Sequence, residues 1–369
     1  MTFKKLEKIF YKHLYLEKEK DFLPIIIATV IANRMDNESV WLMIIAPPSS
    51  GKSKVVSALS KSPEIECVSL LTPNSLISGA RKKDTEDGKE ASLLPRLDGR
   101  NMLIKDASTI TDMHPTYRSQ VFSQLRAAYD GELEKSTGLG TKNFSAKFGI
   151  ILAGTPALEK MRTLESSLGE RFLTFRPMFD MNDRSKIWDK IKAGGHVKSI
   201  NKILSEATLE FLEGCGTPDK VLYPDAIAGL ATRLVMLRAD VSRDWKTGYI
   251  DFPVDNVEEP WRAAKQMSGL YTGLMHILND KTKAINAIKR VTRHTIPYVR
   301  LRTLTVISRN KEMTLNQITH AIKVSRPTAK KVVEELYILG VITKKSTGSS
   351  KFYIVQNQYR NLFKLRPRS

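Results

Sequence analysis

The chain has 369 residues, 41% of them hydrophobic and 27% charged, so it can bury two or three compact cores and is not wholly disordered. Its 59 Lys and Arg residues outnumber the 39 Asp and Glu residues, and the resulting net charge of +20 favours a polyanionic partner. The charge is concentrated at one end, because residues 295–369 contain 15 basic and 3 acidic residues.

Cysteine, histidine and hydropathy patterns exclude other classes. The two cysteines are far apart and the six histidines have no ligand spacing, so we predict neither a disulfide framework nor a zinc site. The longest apolar stretch, residues 22–32, contains Pro24 and is shorter than the ~20 residues of a membrane span. We expect a soluble, cytoplasmic protein with no membrane partner, since the N terminus has mixed charge and no cleavage signal.

The first predicted elements are helices and strands in alternation. Residues 1–39 predict a helical segment, charged over residues 3–20 and apolar over residues 25–35. Short apolar runs of strand length follow at residues 40–46, 65–71, 101–105, 148–153 and 172–176. This alternation is typical of an α/β fold with a parallel sheet sandwiched by helices, which we place at residues 40–184. Polar residues 81–99 predict a surface insertion.

A glycine-lysine-serine motif directly follows the first predicted strand. Residues 46–53 read Ala-Pro-Pro-Ser-Ser-Gly-Lys-Ser, which matches the phosphate-loop spacing G-x-x-x-x-G-K-[ST] except that Ala46 replaces the first glycine. Backbone N–H groups at a helix start attract phosphate oxygens, and the lysine and hydroxyl suit phosphates and Mg²⁺. The motif therefore predicts an ATP site; a chance turn is the alternative. Its candidate ligands are Pro48, Ser49, Ser50, Gly51, Lys52 and Ser53, the last on Mg²⁺.

Two later strands end in polar residues. Asp106 follows the strand at 101–105, where an acid holds Mg²⁺ through water; a helix N-cap is the alternative. Thr155 follows the strand at 148–153, where a hydroxyl could orient water beside the γ-phosphate. Both residues are therefore candidates for catalysis.

Two arginines are candidates for stabilising phosphate charge. Arg171 lies on the turn before the strand at 172–176, where an arginine finger would reach a neighbouring subunit's γ-phosphate; a surface arginine is the alternative. Arg262 lies in the first turn of a helix that starts after Pro260, within a helical lid predicted at residues 185–294. A solvent-facing position is equally compatible with that spacing.

Residues 131–148 predict a β-hairpin with a glycine-rich tip, Gly138-Leu139-Gly140. Lys135 and Lys142 lie close to this tip. From the residues alone, a solvated surface hairpin is one interpretation of this segment.

The order of these motifs resembles AAA+ ATPases, and within them the minichromosome-maintenance (MCM) type of DNA helicase and its relatives in phages, plasmids and mobile elements. The hairpin before the strand at 148–153 and the run Ser-Leu-Gly-Glu-Arg-Phe carry the resemblance, which covers about residues 20–290. It implies a homo-hexameric ring whose hairpins grip the DNA backbone in a central pore through Lys135 and Lys142. It also implies a replication partner such as a primase, polymerase or loader.

Ala107 departs from the family pattern, in which a glutamate that polarises the attacking water follows the Mg²⁺ acid. Either hydrolysis is weak or another acid substitutes for this glutamate. The candidates are Asp112, Glu132 and Glu134.

Residues 295–369 predict a winged-helix domain with helices around 299–308 and 314–323, a third helix capped by Ser325, and a hairpin at 341–355. Helical spacing predicts that the third helix packs inward through Ala329, Val332, Val333, Leu336 and Leu339. The candidate DNA contacts are Arg326, Thr328, Lys330 and Lys331 on its outer face, and Lys344, Lys345 and Lys351 on the hairpin. A protein-docking module is the alternative.

Three functions remain open from the sequence. The leading one is an ATP-dependent, ring-forming DNA translocase or helicase in the replication of a mobile element or phage-like replicon. An origin-binding initiator or helicase loader is the first alternative. A nucleotide-binding DNA-binding regulator without substantial hydrolysis is the second.

Overall fold

The computed structural model describes residues 1–16, 19–48, 50–78, 91–131, 133–137, 140–159, 171–178, 197–241 and 257–363, with the single positions 188 and 192. The chain divides into two compact units. Unit 1 comprises Met1–Tyr223 and Lys265–Ile288, and unit 2 comprises Pro224–Ala264 and Lys289–Ser369. This division runs through the predicted lid at 185–294, so residues of that segment belong to both units.

Unit 1 is built around a five-stranded parallel sheet in the order β2-β3-β6-β1-β7. A separate antiparallel hairpin, β4-β5, lies between β3 and β6 in the chain. The strands are β1 (Trp41–Ile45), β2 (Ile65–Cys67), β3 (Asn101–Ile104), β4 (Leu133–Thr137), β5 (Gly140–Phe144), β6 (Gly149–Gly154) and β7 (Phe172–Phe175). All residues of β1, β3, β6 and β7 are buried, which explains their continuous apolar runs. The predicted α/β class and its five sheet strands are therefore confirmed.

The helices of the first part of unit 1 are α1 (Phe3–His13), α2 (Phe22–Ala32), α3 (Lys52–Ser57), α4 (Leu94–Leu97), α5 (Ser108–Thr111), α6 (Pro115–Tyr129) and α7 (Val197–Gly214). Every residue of α2 is buried, and Phe22 stacks on Phe175 with ring centroids 5.9 Å apart. The predicted start at residue 25 was wrong, because α2 begins at Phe22. Pro24 is tolerated in the first turn of the helix, where no backbone N–H is needed. No helix among the described residues is long and apolar enough to cross a membrane.

Asn33 aligns the starts of three sheet strands. Its side chain exchanges hydrogen bonds with the backbone of Val40 and donates to Asn101 Oδ1 at 2.7 Å. A Cβ atom at Gly149 would lie 2.0 Å from Asn33 Nδ2, so only glycine fits at the start of β6. β1, β3 and β6 therefore begin at one level, and their carboxyl ends reach one edge of the sheet.

Unit 2 combines helices with a small antiparallel sheet of order β8-β10-β9. Its elements after the division are α11 (Tyr298–Asn310), β8 (Met313–Thr314), α12 (Leu315–Ile322), α13 (Arg326–Ile338), β9 (Ile342–Thr347), β10 (Ser350–Val355) and α14 (Asn357–Phe363). α8 (Asp225–Arg238) belongs to the same unit, while α9 (Trp261–Leu278) and α10 (Lys281–Thr295) continue from one unit into the other. The predicted Ser325 cap of α13 is present, since its side chain accepts from Thr328 N. The three helices and the hairpin predicted for this region are confirmed.

A buried ion pair joins α8 to the C-terminal elements of unit 2. Arg300 on α11 donates from Nε and Nη2 to Glu335 Oε2 on α13, at 3.2 and 3.0 Å. Its Nη1 donates to the carbonyl oxygens of Leu237 and Ala239 at the end of α8. A cation there caps the helix and satisfies its last carbonyl groups. The C-terminal elements therefore do not form a unit by themselves, although the sequence placed a boundary near His294.

We predict that Arg300→Met lowers the free energy of unfolding of unit 2 by about 3–5 kcal/mol, because it leaves Glu335 buried without its partner. Lys330→Met on α13 is the matched control. It removes an exposed pair with Glu334, at 3.7 Å, and should cost less than ~0.5 kcal/mol. Urea unfolding, monitored by hydrogen exchange at the amides of α13, measures the stability of both variants. Equal effects of the two changes would contradict a structural role for the buried pair.

Candidate functional site

The glycine-lysine-serine loop follows β1, which lies between β6 and β7, at the carboxyl edge of the sheet. Ala46 N, just after β1, donates to Gly154 O at the end of β6, at 3.1 Å. Ala107 N, just after β3, donates to Ala153 O at 2.8 Å. These bonds hold the residues that follow β1, β3 and β6 at one edge, which is where open α/β sheets bind ligands.

Gly51 and Lys52 form the junction between the loop and α3. Gly51 has a φ of +79°, a left-handed conformation that favours glycine. Lys52 is only 7% exposed, and its Nζ donates to Pro47 O at 3.2 Å. Burial lowers the pKa of the Lys52 ammonium, and the nearby Asp106 carboxylate partly opposes this shift. The structure thus brings the predicted lysine and the predicted Mg²⁺ acid together.

Ser50 supplies the test of whether this loop suits a phosphate group. Its hydroxyl oxygen is buried and has no hydrogen-bond partner within the part of the chain that the structure describes. A buried hydroxyl without a partner costs about 1–3 kcal/mol, and a phosphate oxygen would supply the missing acceptor. Pro48 and Ser53 are exposed beside it, while Ser49 lies outside the described residues. The residues present therefore fit a bound phosphate.

Asp106 and Thr155 both lie directly after buried strands at this edge. Asp106 is exposed, and its Oδ1 accepts from Ser108 N at 3.0 Å in a local turn, whereas the N-cap position of α5 is occupied by Ala107 and not by Asp106. Thr155 is partly buried, and its hydroxyl accepts from Ala157 N at 3.4 Å. This turn and the edge position coexist for Asp106, because a carboxylate accepts several hydrogen bonds.

Ala107 is fully buried and brings no carboxylate to this edge. Among the candidate substitutes, Asp112 is exposed after α5, Glu134 is exposed on β4, and Glu132 lies outside the described residues. Sequence reasoning missed a fourth acid, Glu159, which accepts from Arg176 Nε at 2.9 Å. The sequence signal that could have found this ion pair is the position of Arg176 directly after the buried strand β7. A position after a buried strand is also what identified Asp106.

Arg171 lies at the opposite, amino edge of the sheet, before β7. Its Nη2 donates to both carboxylate oxygens of Asp130, at 3.0 and 2.7 Å, and its guanidinium lies 5.6 Å from the ring centroid of Tyr129. The side chain is 7% exposed. A finger reaching another subunit would have to leave these partners, so that role stays a prediction; residues 160–170 lie outside the described chain.

Arg262 belongs to unit 2, whereas the glycine-lysine-serine loop belongs to unit 1. Its Nη1 donates to Glu258 Oε1 at 3.4 Å, and Glu258 Oε2 accepts from Arg238 at 2.5 Å. The helix start predicted near Arg262 is correct, since α9 begins at Trp261. A contact between Arg262 and nucleotide stays a prediction.

The predicted hairpin is present as β4-β5, with Lys135 paired to Lys142 across the two strands. Lys135 has other partners than the expected DNA backbone. Its Nζ donates to Pro73 O, Asn74 Oδ1 and Ile77 O at 2.8, 2.8 and 3.1 Å, and burial lowers its pKa. The Lys142 side chain and tip residues 138–139 lie outside the described residues. DNA binding by either lysine stays a prediction.

The outer face of α13 carries the predicted polar residues. Arg326, Thr328, Lys330 and Lys331 are exposed, and the five predicted apolar positions are buried. Lys331 lies 4.0 Å from Glu335 Oε1, so part of its charge is compensated. The predicted amphipathic packing of this helix is therefore confirmed.

Lys344, Lys345 and Lys351 are exposed on β9-β10, but they do not share one face. Lys344 pairs with Tyr353 and Lys345 with Phe352, while Lys351 pairs with Ser346. Side chains alternate along a strand and cross-strand partners share a face. Lys344 and Lys351 therefore lie on one face and Lys345 on the other.

We predict opposite effects of Ser50→Ala on stability and on ligand binding. Unfolding without ligand should require about 1 kcal/mol more, because a buried hydroxyl without a partner is removed, whereas ATP should bind about fivefold more weakly. Ser60→Ala is the control, since Ser60 Oγ already donates to Ser57 O at 2.7 Å. That change should lower stability without changing affinity. Urea unfolding and calorimetry measure both, and a destabilised Ser50→Ala variant with normal affinity would refute the prediction.

The structure brings Lys52, Asp106 and Thr155 to one edge of the sheet in unit 1. It leaves Arg171 at the other edge of that sheet, and it places Arg262 and the basic C-terminal residues in unit 2. No protein-family model matches the chain, and no curated protein matches its sequence.

Proposed function

We propose that this chain is an ATP-driven DNA translocase, in which an AAA+ ATPase module carries a winged-helix DNA-binding domain. The phosphate loop supports this proposal most directly. It follows β1, an interior strand of the sheet, with the buried Lys52 within electrostatic reach of Asp106 and beside it a Ser50 hydroxyl that is buried without a partner among the described residues. An isolated Gly-Lys-Ser turn would not need a buried cation and a buried unsatisfied hydroxyl together.

Each residue at this edge has a proposed task. Lys52 would exchange its bond to Pro47 O for the β- and γ-phosphates, whose negative charge suits a desolvated ammonium. Ser53 and Asp106 would hold Mg²⁺, which would neutralise phosphate charge when bound. Thr155 would orient the attacking water beside the γ-phosphate.

The DNA-binding part of the proposal rests on the charge and shape of the C-terminal region. Its 15 basic and 3 acidic residues attract a polyanion, and the exposed face of α13 has the length of a groove-reading helix. Lysines there would position the phosphate backbone without reading bases. The hexameric ring and the replication partner, a primase, polymerase or loader, are proposed from the resemblance to MCM-type helicases.

Ala107 favours a second candidate function. Because this position is buried and lacks the water-polarising carboxylate, ATP would turn over slowly and act mainly as a conformational signal. An origin-binding initiator or helicase loader uses ATP in this way, and a regulator would bind nucleotide with no substantial hydrolysis. A footprint at one DNA sequence would favour the initiator, and phosphate release at background with DNA present would favour the regulator.

We predict that the wild-type protein separates forked DNA in the presence of ATP and that Lys52→Ala lowers the rate at least about 100-fold. Lys54→Ala, which changes the next lysine of α3 outside the motif, is the matched control and should retain the activity. Strand separation is followed with a fluorescent fork. Absence of ATP-dependent separation by the wild type, or its persistence in Lys52→Ala, would sink the translocase proposal.

We predict that the double variant Lys344→Ala/Lys351→Ala binds all DNA sequences more weakly. Log affinity decreases with log salt, and this negative slope should become shallower by about 0.9 for each lysine–phosphate ion pair that the substitutions remove. Lys283→Ala in unit 1, whose side chain is 72% exposed, is the control and should keep the slope. Fluorescence anisotropy over a salt series gives the slopes. An unchanged slope in the double variant would show that this face of β9-β10 does not bind DNA.

A further inference from the structure

The loop that follows β2, residues 68–78 and here termed the β2 loop, is braced at both ends. At its start Val68 N donates to Leu103 O on β3, the strand that leads to Asp106, at 2.9 Å. Further on, Thr72 N donates to Ser75 Oγ at 2.8 Å. Leu93 N donates to Ser75 O and Leu94 N to Leu76 O, at 3.0 and 3.1 Å. The β2 loop is therefore fixed to the strand edge of the candidate site.

Lys135 connects the hairpin to this loop. It is the central residue of β4, and its ammonium donates to Pro73 O, Asn74 Oδ1 and Ile77 O. An ammonium group has three donors, so these bonds use all of them. Gln124 Nε2 on α6 also donates to Pro73 O, at 2.8 Å. All three acceptors of the Lys135 ammonium therefore belong to the β2 loop.

This geometry differs from that of a surface lysine that contacts a DNA backbone. Such a lysine keeps its ammonium in solvent until the DNA arrives, whereas the Lys135 ammonium already makes three hydrogen bonds, its side chain is partly buried, and burial lowers its pKa. All three acceptors are neutral, so they orient the ammonium without neutralising it. Binding of this ammonium to DNA would break three hydrogen bonds and leave their acceptors unsatisfied.

We propose that Lys135 is a positioning residue that locks the β4-β5 hairpin to the β2 loop, so that the hairpin moves with the strand edge that carries Asp106. The lock itself follows from the contacts of unit 1. Its use, which is to transmit the nucleotide state of the edge to a DNA-gripping hairpin, rests on the proposed function.

Hydrogen exchange of the protein without ligands tests the lock. Lys135→Met and Lys135→Arg should both raise the exchange rates of amides in residues 133–137, 140–144 and 73–77 at least about tenfold. The arginine fails although its charge is kept, because a planar guanidinium cannot reproduce three convergent bonds from one nitrogen. Asn143→Ala, on the opposite strand, is the control and should leave these rates unchanged, because the Asn143 side chain is exposed. Wild-type exchange in the two Lys135 variants would overturn the proposal.

Asn74→Ala tests the same lock from the loop side, in case a Lys135 variant does not fold. It removes one of the three acceptors and should raise exchange at 133–137 by a smaller factor than Lys135→Met. Unchanged exchange at the hairpin in this variant would also overturn the proposal.

DNA binding and nucleotide separate the lock from the proposed function. A slowly hydrolysed ATP analogue should change hairpin exchange in the wild type and not in Lys135→Arg, while the salt slope of DNA affinity stays at the wild-type value in both. A salt slope that is shallower by about 0.9 in Lys135→Met but normal in Lys135→Arg would show that Lys135 binds a DNA phosphate, and it would overturn the proposal. If the wild type binds neither nucleotide nor DNA, the proposed function fails, and exchange without ligands still decides the lock.

Discussion

The parallel pairing of β1 with β6 and β7 is the constraint on which the rest of unit 1 depends. Both faces of these strands are buried, so solvent-accessible polar groups come from the residues that follow the strands and not from the strands themselves. Asn33 sets the level at which β1, β3 and β6 begin, and the carboxyl ends follow from that level. Ala46, Asp106 and Thr155 meet at one edge for this reason, although they are far apart in the chain.

The edge so formed holds polar groups at a cost to stability. Lys52 is desolvated with a carbonyl oxygen as its nearest acceptor, and the Ser50 hydroxyl is buried with no acceptor among the described residues. An anion bound in the loop would satisfy both groups, so its binding would offset the free-energy cost of burying them. In the proposed function, Ala107 acts in the opposite sense, because it places no carboxylate at the position that would polarise the attacking water. The proposal therefore predicts that nucleotide binds but is hydrolysed slowly.

Several charged residues have roles that depend on partners remote in sequence. Lys135 meets three acceptors of the β2 loop, and Arg171 meets Asp130 and Tyr129. Arg300 joins α8 to α13 through Glu335, which makes unit 2 a composite of two chain segments. The hairpin pattern predicted a surface role for Lys135, and the position before a strand predicted one for Arg171. Neither pattern contains the partner, so the sequence could not distinguish an exposed cation from an internal one.

The sequence by itself determined the elements and their amphipathic faces. Continuous apolar runs identified the five sheet strands, and helical spacing identified the buried face of α13, because burial acts on each element through its own periodicity. The phosphate-loop motif is equally local. Only the tertiary structure decided where Lys135 and Arg171 point, how chain segments combine into two units, and which lysines of β9-β10 share a face. Those features depend on contacts and strand register between distant segments, for which a single sequence carries no local signal.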